Sequence, residues 1–344
     1  MLSLVLLAAA TASVPVPLRR TFEIAVTNDA TKVTNKFADV WLNATFTGPA
    51  SGAEPVKFWG FYDGGSTWRL RFMPSAVGQW KYSWSFSDGS GKGEGVFECI
   101  ADGASPGVLK PWPANPHWFA YEGEKPVFLK SYYNKAGGSQ RQDPTWFDKK
   151  FYAKLAARGY NHHMASGFLP VLPLSALWDG VPFSDADAPA AINHTIYTDP
   201  TSPQTSMSLD VWASLEGHMK ALNRYDISIQ FFLGFNAVGP GSGDIQWSSM
   251  SEPTKRWWVA YLVARLAPFA NLGGYQYGPE SSGNSQIGDY QLATLLREMD
   301  PFGHATTYEE ENVTLRNHFD LPAWTFGSVE ALVRKRQNIC RKRS

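Results

Sequence analysis

Hydrophobic and polar residues alternate with a period of two from Thr21 to Ile100. Trp80, Tyr82, Trp84 and Phe86 alternate with Lys81, Ser83, Ser85 and Ser87, and Trp68, Leu70 and Phe72 alternate with Arg69 and Arg71. Alternation of this kind turns one side of a strand toward a core and the other toward water. Asp63-Gly64-Gly65 and Asp88-Gly89-Ser90-Gly91 interrupt the runs where hairpins would turn, and a last strand is expected from Gly95 to Ile100. The expectation is an antiparallel β-sandwich over residues 20–103. The aromatic stripe reads as core rather than as a sugar platform, and Arg69 and Arg71 as a solvated face or rim.

Asp102 to Pro116 is rich in Pro, Gly and Ala, and residues 104–116 read as a linker. Beyond it, strand and helix signals alternate. An apolar strand is expected over Pro126–Tyr133. Asp143-Pro144 opens a helix with Phe147, Phe151 and Leu155 on one face and Gly159 as its stop. Asn161–Phe168 reads as a second strand, followed by a long loop over 169–206. Ser208 caps a helix whose apolar face is Trp212, Leu215, Met219 and Leu222. Ile227–Phe235 is a third strand, and Ser251 and Pro253 open a helix carrying Trp257, Tyr261 and Leu262. Leu272–Tyr277 is a fourth strand, Ile287–Met299 a helix, His304–Tyr308 a fifth strand and Ala323–Phe326 a sixth. Strand and helix in repetition predict a parallel sheet. The expected fold is multi-domain: an N-terminal sandwich, then a C-terminal (β/α) TIM-type barrel over 117–330, incomplete at about six strands. A doubly wound sheet is the alternative, but no Gly-rich phosphate loop follows the first strand.

Composition narrows the function. The 31 basic residues balance 31 acidic ones across 344 residues, which argues against a general nucleic-acid binder. Leu2 to Ala12, ending in Ala10-Thr11-Ala12, is too short to span a bilayer and reads as a signal peptide over residues 1–12, although no Lys or Arg precedes it. Secretion is the expected localisation. Sequons at Asn43, Asn193 and Asn312 are compatible with a glycoprotein. With Cys99 and Cys340 alone, no disulfide scaffold is possible. Residues 331–344 form a basic tail.

Barrel chemistry sits at the carboxyl ends of strands. That rule selects Tyr132, Tyr133 and Asn134 from strand one, His162 from strand two, Phe235 and Asn236 from strand three, and Tyr277 and Glu280 from strand four. Strand five supplies Glu309, whose alternative is a solvated loop charge, and strand six supplies Trp324. His162 and His163 are adjacent and so point to opposite faces, which disfavours a shared metal; one histidine in the barrel mouth would hydrogen-bond a hydroxyl. No Gly-x-Ser-x-Gly elbow and no His-Glu-x-x-His occurs. Aromatic rings with carboxylates suit sugars, and glycosidic bonds are cut by carboxyl pairs. A carboxyl ending strand four suits the acid, kept protonated by burial among Tyr275 and Tyr277. No cofactor is called for.

Gly60-Phe61-Tyr62-Asp63-Gly64-Gly65, Trp68-Arg69-Leu70-Arg71-Phe72-Met73-Pro74, Gly78-Gln79-Trp80-Lys81-Tyr82 and Gly95-Val96-Phe97 follow one another in an order that resembles the DUF5060-type Ig-like module. In glycoside-hydrolase-like proteins this module precedes the barrel as an accessory. Tyr121 to Leu129, Leu155 to Asn161 and the end of strand four at Glu280 resemble clan-A and apiosidase-like (DUF4038) barrels. The resemblance implies that Glu280 is the acid/base of a secreted, retaining glycoside hydrolase acting on poly- or oligosaccharides. Two departures stand out. Pro279 occupies the place of the clan's usual Asn, and the clan's nucleophile ends a seventh strand where six are counted here. The resemblance thus implies a barrel truncated relative to its relatives. The competing readings are a catalytically inactive carbohydrate-binding protein and a truncated gene product. The expected partner is a carbohydrate, with no nucleic acid and no membrane span.

Overall fold

The computed structural model describes residues 15–102, 105–122, 125–134, 144–165, 205, 207–233, 250–276, 286–310 and 325–329. The signal segment, the basic tail and the sequons at Asn193 and Asn312 lie outside them. Among the described residues no helix is long and apolar enough to cross a membrane.

The N-terminal part is β-rich. Its strands are β1 (Val16–Pro17), β2 (Phe22–Thr27), β3 (Leu42–Thr47), β4 (Val56–Trp59), β5 (Phe61–Tyr62), β6 (Thr67–Phe72), β7 (Gly78–Phe86) and β8 (Lys92–Ile100). They form a five-stranded sheet, β1-β8-β7-β3-β4, and a three-stranded sheet, β2-β6-β5. The alternating aromatics meet between the sheets: Phe46 stacks on Phe72 at 4.0 Å and Phe22 on Phe97 at 4.1 Å. Gly93 and Gly95 stand in register with Trp84 and Tyr82. A Cβ on Gly93 would lie 2.6 Å from the Trp84 indole, so the missing side chain is what admits the ring.

The stretch read as a linker is instead structured. Leu109–Trp112 (β9) and Asn115–Tyr121 (β10) pair as a hairpin, and Pro126–Val127 (β11) adds a third antiparallel strand. Val108 and Leu109 are buried, and that burial outweighs the local Pro and Gly content. The expected strand Pro126–Tyr133 divides here. Pro126–Val127 stays with β10, Phe128 is 76% exposed, and Ser131–Asn134 (β12) joins a different sheet.

That sheet is parallel. It contains β12, β13 (His162–Ala165), β14 (Ser228–Phe232), β15 (Leu272–Gln276), β16 (Thr306–Glu310) and β17 (Phe326–Val329), six strands side by side in chain order. The segment between β12 and β13 runs through α1 (Pro144–Phe147), a π-helical turn (Asp148–Tyr152) and α2 (Ala153–Ala157), and ends at Gly159 with φ +74°. Helices α3 (Leu209–Asn223), α4 (Glu252–Leu266) and α5 (Gln286–Met299) precede β14, β15 and β16. Ser251 caps α4 by accepting from the Thr254 N–H, as its sequence suggests. Ser208 occupies the cap position of α3, but its hydroxyl donates to Asp210 instead of accepting from the backbone. Strand helix repetition with all strands parallel is the partial barrel of a (β/α) fold.

The two parts are joined through the outer face of the three-stranded sheet. Arg71 and Arg265 are each only 1% exposed and share the Glu216 carboxylate from opposite sides. Arg71 also binds Glu23, and its Nη1 donates to the Arg265 carbonyl at 2.8 Å. Arg265 further contacts Asp63 at 3.0 Å and donates to the Tyr261 hydroxyl at 2.9 Å. Phe61 lies beneath both guanidinium groups, at 4.9 and 4.4 Å. Trp59 donates to the Ala260 carbonyl, Trp257 to the Phe37 carbonyl and Tyr261 to the Tyr62 carbonyl. Arg71 therefore lines a domain interface, not a solvated rim, whereas Arg69 pairs with Glu23 and Asp63 of the sandwich and stays a third exposed at its edge. The barrel helices cover a face that alternation alone leaves to water.

Candidate active site at the carboxyl ends of the parallel strands

Each parallel strand has one face against the helices and one toward the barrel interior. Ile229, Phe231 and Tyr275 take the helix side, fully buried. The interior side is polar. His162, Ser228, Gln230 and Gln276 are buried there, and the Gln230 amide donates to Gln276 Oε1 at 2.5 Å. His162 Nδ1 lies 2.7 Å from Ser228 Oγ, which in turn donates to the Asn161 carbonyl at 3.2 Å. Tyr121 reaches the same serine from β10, its phenol pushed up by burial. Phe119 meets Phe326 edge to face at 5.0 Å. The β9–β11 sheet thus closes the amino end of the barrel.

Two glycines make this interior possible. The β14–β15 register slips by one residue between Ile229 and Gln230, which leaves Gly273 unpaired as a bulge. A Cβ there would stand 3.0 Å from the His162 ring. Gly274 follows at φ +153°.

His162 and His163 do face opposite ways, as their adjacency requires. Neither lies in the mouth. His162 is the first residue of β13, in register with Ser228, the first of β14, so it belongs to the amino end. Burial pushes it down to about 4 and keeps the ring neutral, a structural hydrogen-bonder rather than a sugar contact. His163 packs on the helix side beside Tyr152, and burial pushes it down to about 3. The Tyr152 hydroxyl is 2.8 Å from His218 Nδ1. Tyr132 also turns to the helices. Its ring stacks on His163 at 5.9 Å and meets Phe151 edge-on at 5.1 Å, so it is no wall of the cleft. Its buried hydroxyl has no partner among the described residues. Tyr275, expected to help bury the acid, points to Asp300 and His304 on the helix side.

The strand ends themselves come together as expected. Asn134, Ala165, Phe232, Gln276, Glu310 and Val329 close adjacent parallel strands at one rim. Tyr133 and Asn134 are the last two residues of β12, and Glu309 sits in register with Ser328 of β17. Glu280, Tyr277, Phe235, Asn236 and Trp324 lie outside the described residues. The sixth strand begins at Phe326, where the expected Ala323–Phe326 would end, so Trp324 precedes its amino end in the chain and does not follow its carboxyl end. Gln230 and Gln276 were missed in the sequence, where a lone amide inside an apolar strand was the available signal. Glu216 and Arg265 were missed because they pair with each other across two helices and with Arg71 and Asp63 of the sandwich, all distant in sequence.

Residues 19–87 match the family model described as a domain of unknown function, DUF5060. No curated protein matches the chain. Among solved structures, a candidate glycoside hydrolase from Bacteroides vulgatus ATCC 8482 aligns with 90% of this chain at a TM-score of 0.68 and 22% identity, and the alignment spans 58% of that protein. A glycoside hydrolase family 5 structure from the same strain covers 64% of this chain and 44% of its own, at a TM-score of 0.43 and 16% identity. A glycoside hydrolase family 5 mannosidase from Rhizomucor miehei covers 63% and 59%, at a TM-score of 0.43 and 11% identity. The fold is that of a glycoside-hydrolase-like protein: a DUF5060 module followed by a partial barrel.

Proposed function

We propose that this chain is a secreted glycoside hydrolase acting on poly- or oligosaccharides with retention of configuration, and that its Ig-like sandwich is an accessory to the barrel. One observation carries the reading. β15 is the fourth of six parallel strands in chain order, and Glu280 follows its last residue by four positions, where this fold keeps its chemistry. Glu280 is the acid/base. Its carboxyl protonates the glycosidic oxygen as the bond to the anomeric carbon breaks and a second carboxylate attacks that carbon. Glu280, now ionised, then takes a proton from the water that releases the sugar. Tyr133, Asn134, Phe235, Asn236, Tyr277 and Glu309 are the proposed substrate contacts, all at or just beyond the carboxyl ends of their strands in the chain. The nucleophile is assigned to no residue here.

The test is hydrolysis of a broad panel of plant and microbial oligosaccharides by the wild type and Glu280→Gln. The expected result is turnover of at least one substrate, reduced about 100-fold or more in the variant. Equal activity of the two proteins ends the assignment of Glu280. An inert wild type that still binds a panel sugar at the barrel moves the reading to a carbohydrate-binding protein without catalysis.

A further inference from the structure

The three-stranded sheet gives its outer face to the barrel, while the outer face of β3, β7 and β8 is turned to solvent. A trough of about 600 Å³ lies there, lined by three consecutive residues from each strand. The register sorts its walls into two rows. Asn43, Ser85 and Lys92 form one, and Thr45, Ser83 and Glu94 the other. The rows lie two residues apart along each strand, about 7 Å. Ala44, Trp84 and Gly93 fall between them and alternate to the other side, so the floor is backbone. All six wall side chains are polar, and none has a hydrogen bond or ion pair with another described residue.

We propose that this trough is a binding site for a neutral glycan chain lying across the strands, separate from the barrel. The chemistry selects the occupant. Three hydroxyls, one amide and two charges, spread over the two rows, offer donors and acceptors spaced for a polyol. Lys92 and Glu94 place one charge on each row, so a polyanion meets the carboxylate and a polycation meets the ammonium. The walls carry no apolar side chain, so an amphipathic helix or a lipid finds nothing to bury. Hydrogen bonds exposed to water are individually weak, and the affinity expected is correspondingly modest. The ligand class rests on the proposed function; the location does not.

The experiment is affinity electrophoresis of the full chain in gels containing galactomannan, xyloglucan or mixed-linkage β-glucan, each referenced to a gel without polysaccharide. The protein is made in a host without N-glycosylation, because Asn43-Ala44-Thr45 is a sequon and a glycan there would fill the trough. Wild type is expected to be retarded in at least one gel. Ser83→Arg with Ser85→Arg, which fills the trough from exposed positions, is expected to lose about tenfold in affinity or more. Asn43→Ala is expected to weaken binding several-fold without adding bulk. Free migration of the wild type in all three gels overturns the proposal. So does retardation that survives both trough variants. Binding lost in the trough variants with hydrolysis absent throughout counts against catalysis alone; hydrolysis with no trough-dependent binding counts against the trough alone.

Discussion

The outer face of β2 and β6 presents Glu23, Arg69 and Arg71, and the outer face of β7 and β8 presents Lys81, Ser83, Ser85, Lys92 and Glu94. Both sets alternate with core aromatics, and both belong to the same sandwich. Yet Arg71 is 1% exposed, while Lys92 and Glu94 are exposed. The difference comes from α3 and α4, which bring Glu216 and Arg265 onto the first face. Alternation therefore says which side chains leave the sandwich core. It does not say what covers them. Covered charges must be paired, because an uncompensated ion out of water costs several kcal/mol.

The strongest way to break this comparison is to remove the carboxylate that two buried arginines share. Burial alone pushes Glu216 up, but Arg265 and Arg71 outweigh it and hold the carboxyl down at about 2. Glu216→Ala leaves both guanidinium groups without their common partner, and a loss of about 3–5 kcal/mol is expected in urea unfolding. A loss below about 1 kcal/mol would mean that water or the remaining Glu23 and Asp63 replace it, and that the face is no clamp. Since α4 leads directly into β15, the same variant is expected to lower any activity that depends on Glu280.

Acid separates the two regions. His162 ordinarily titrates at 6.5, and burial pushes it down to about 4 in the folded chain. The unfolded chain accepts a proton that the folded chain refuses, so this contribution is complete above 6.5 and is lost as pH falls toward 4. Its size is on the order of 3 kcal/mol. His163 adds a loss of the same sign between 6.5 and about 3. The Glu216 contribution begins to fall only below its ordinary 4.5 and is gone near 2. The melting temperature is thus expected to drop first through the barrel interior, between pH 6.5 and 4, and only later through the clamp. His162→Gln should make the first limb shallower, down to the share that His163 carries, and leave the second. A flat profile from pH 7 to 4.5 in the wild type would show that the histidines are hydrated.

Much of this architecture is legible in the chain. Trp80 to Phe86 and Trp68 to Phe72 mark two sandwich strands by period alone, and the six parallel strands appear in their expected order. The misreadings share a cause. Arg71, Glu216 and Arg265 lie far apart in sequence, and nothing local in any of them reports a partner. Leu109–Trp112 is hidden by Pro111 and by Pro106 and Pro113 on either side, although one proline in a short hairpin removes little from the ladder. Pro126–Tyr133 looks like one strand because an apolar run carries no sign of where the chain changes sheets. The candidate site was legible as strand ends but not as side-chain directions. Tyr132 and His162 were placed in the mouth by proximity to a strand end, whereas a shift of one residue decides the face and two or three residues decide the end of the barrel.

The smallest effect sharpens the comparison from the exposed side. If Lys92 and Glu94 serve only solvation or a weakly bound ligand, truncating them should leave the free protein almost untouched. Lys92→Ala and Glu94→Ala are each expected within about 0.5 kcal/mol of wild type in urea unfolding. The reason is that neither has a partner among the described residues to orphan, so each loses mainly contacts with water. A loss on the scale of the Glu216 variant would mean that this face, too, is covered in solution. The contrast between the two faces would then reduce to which cover is part of the same chain.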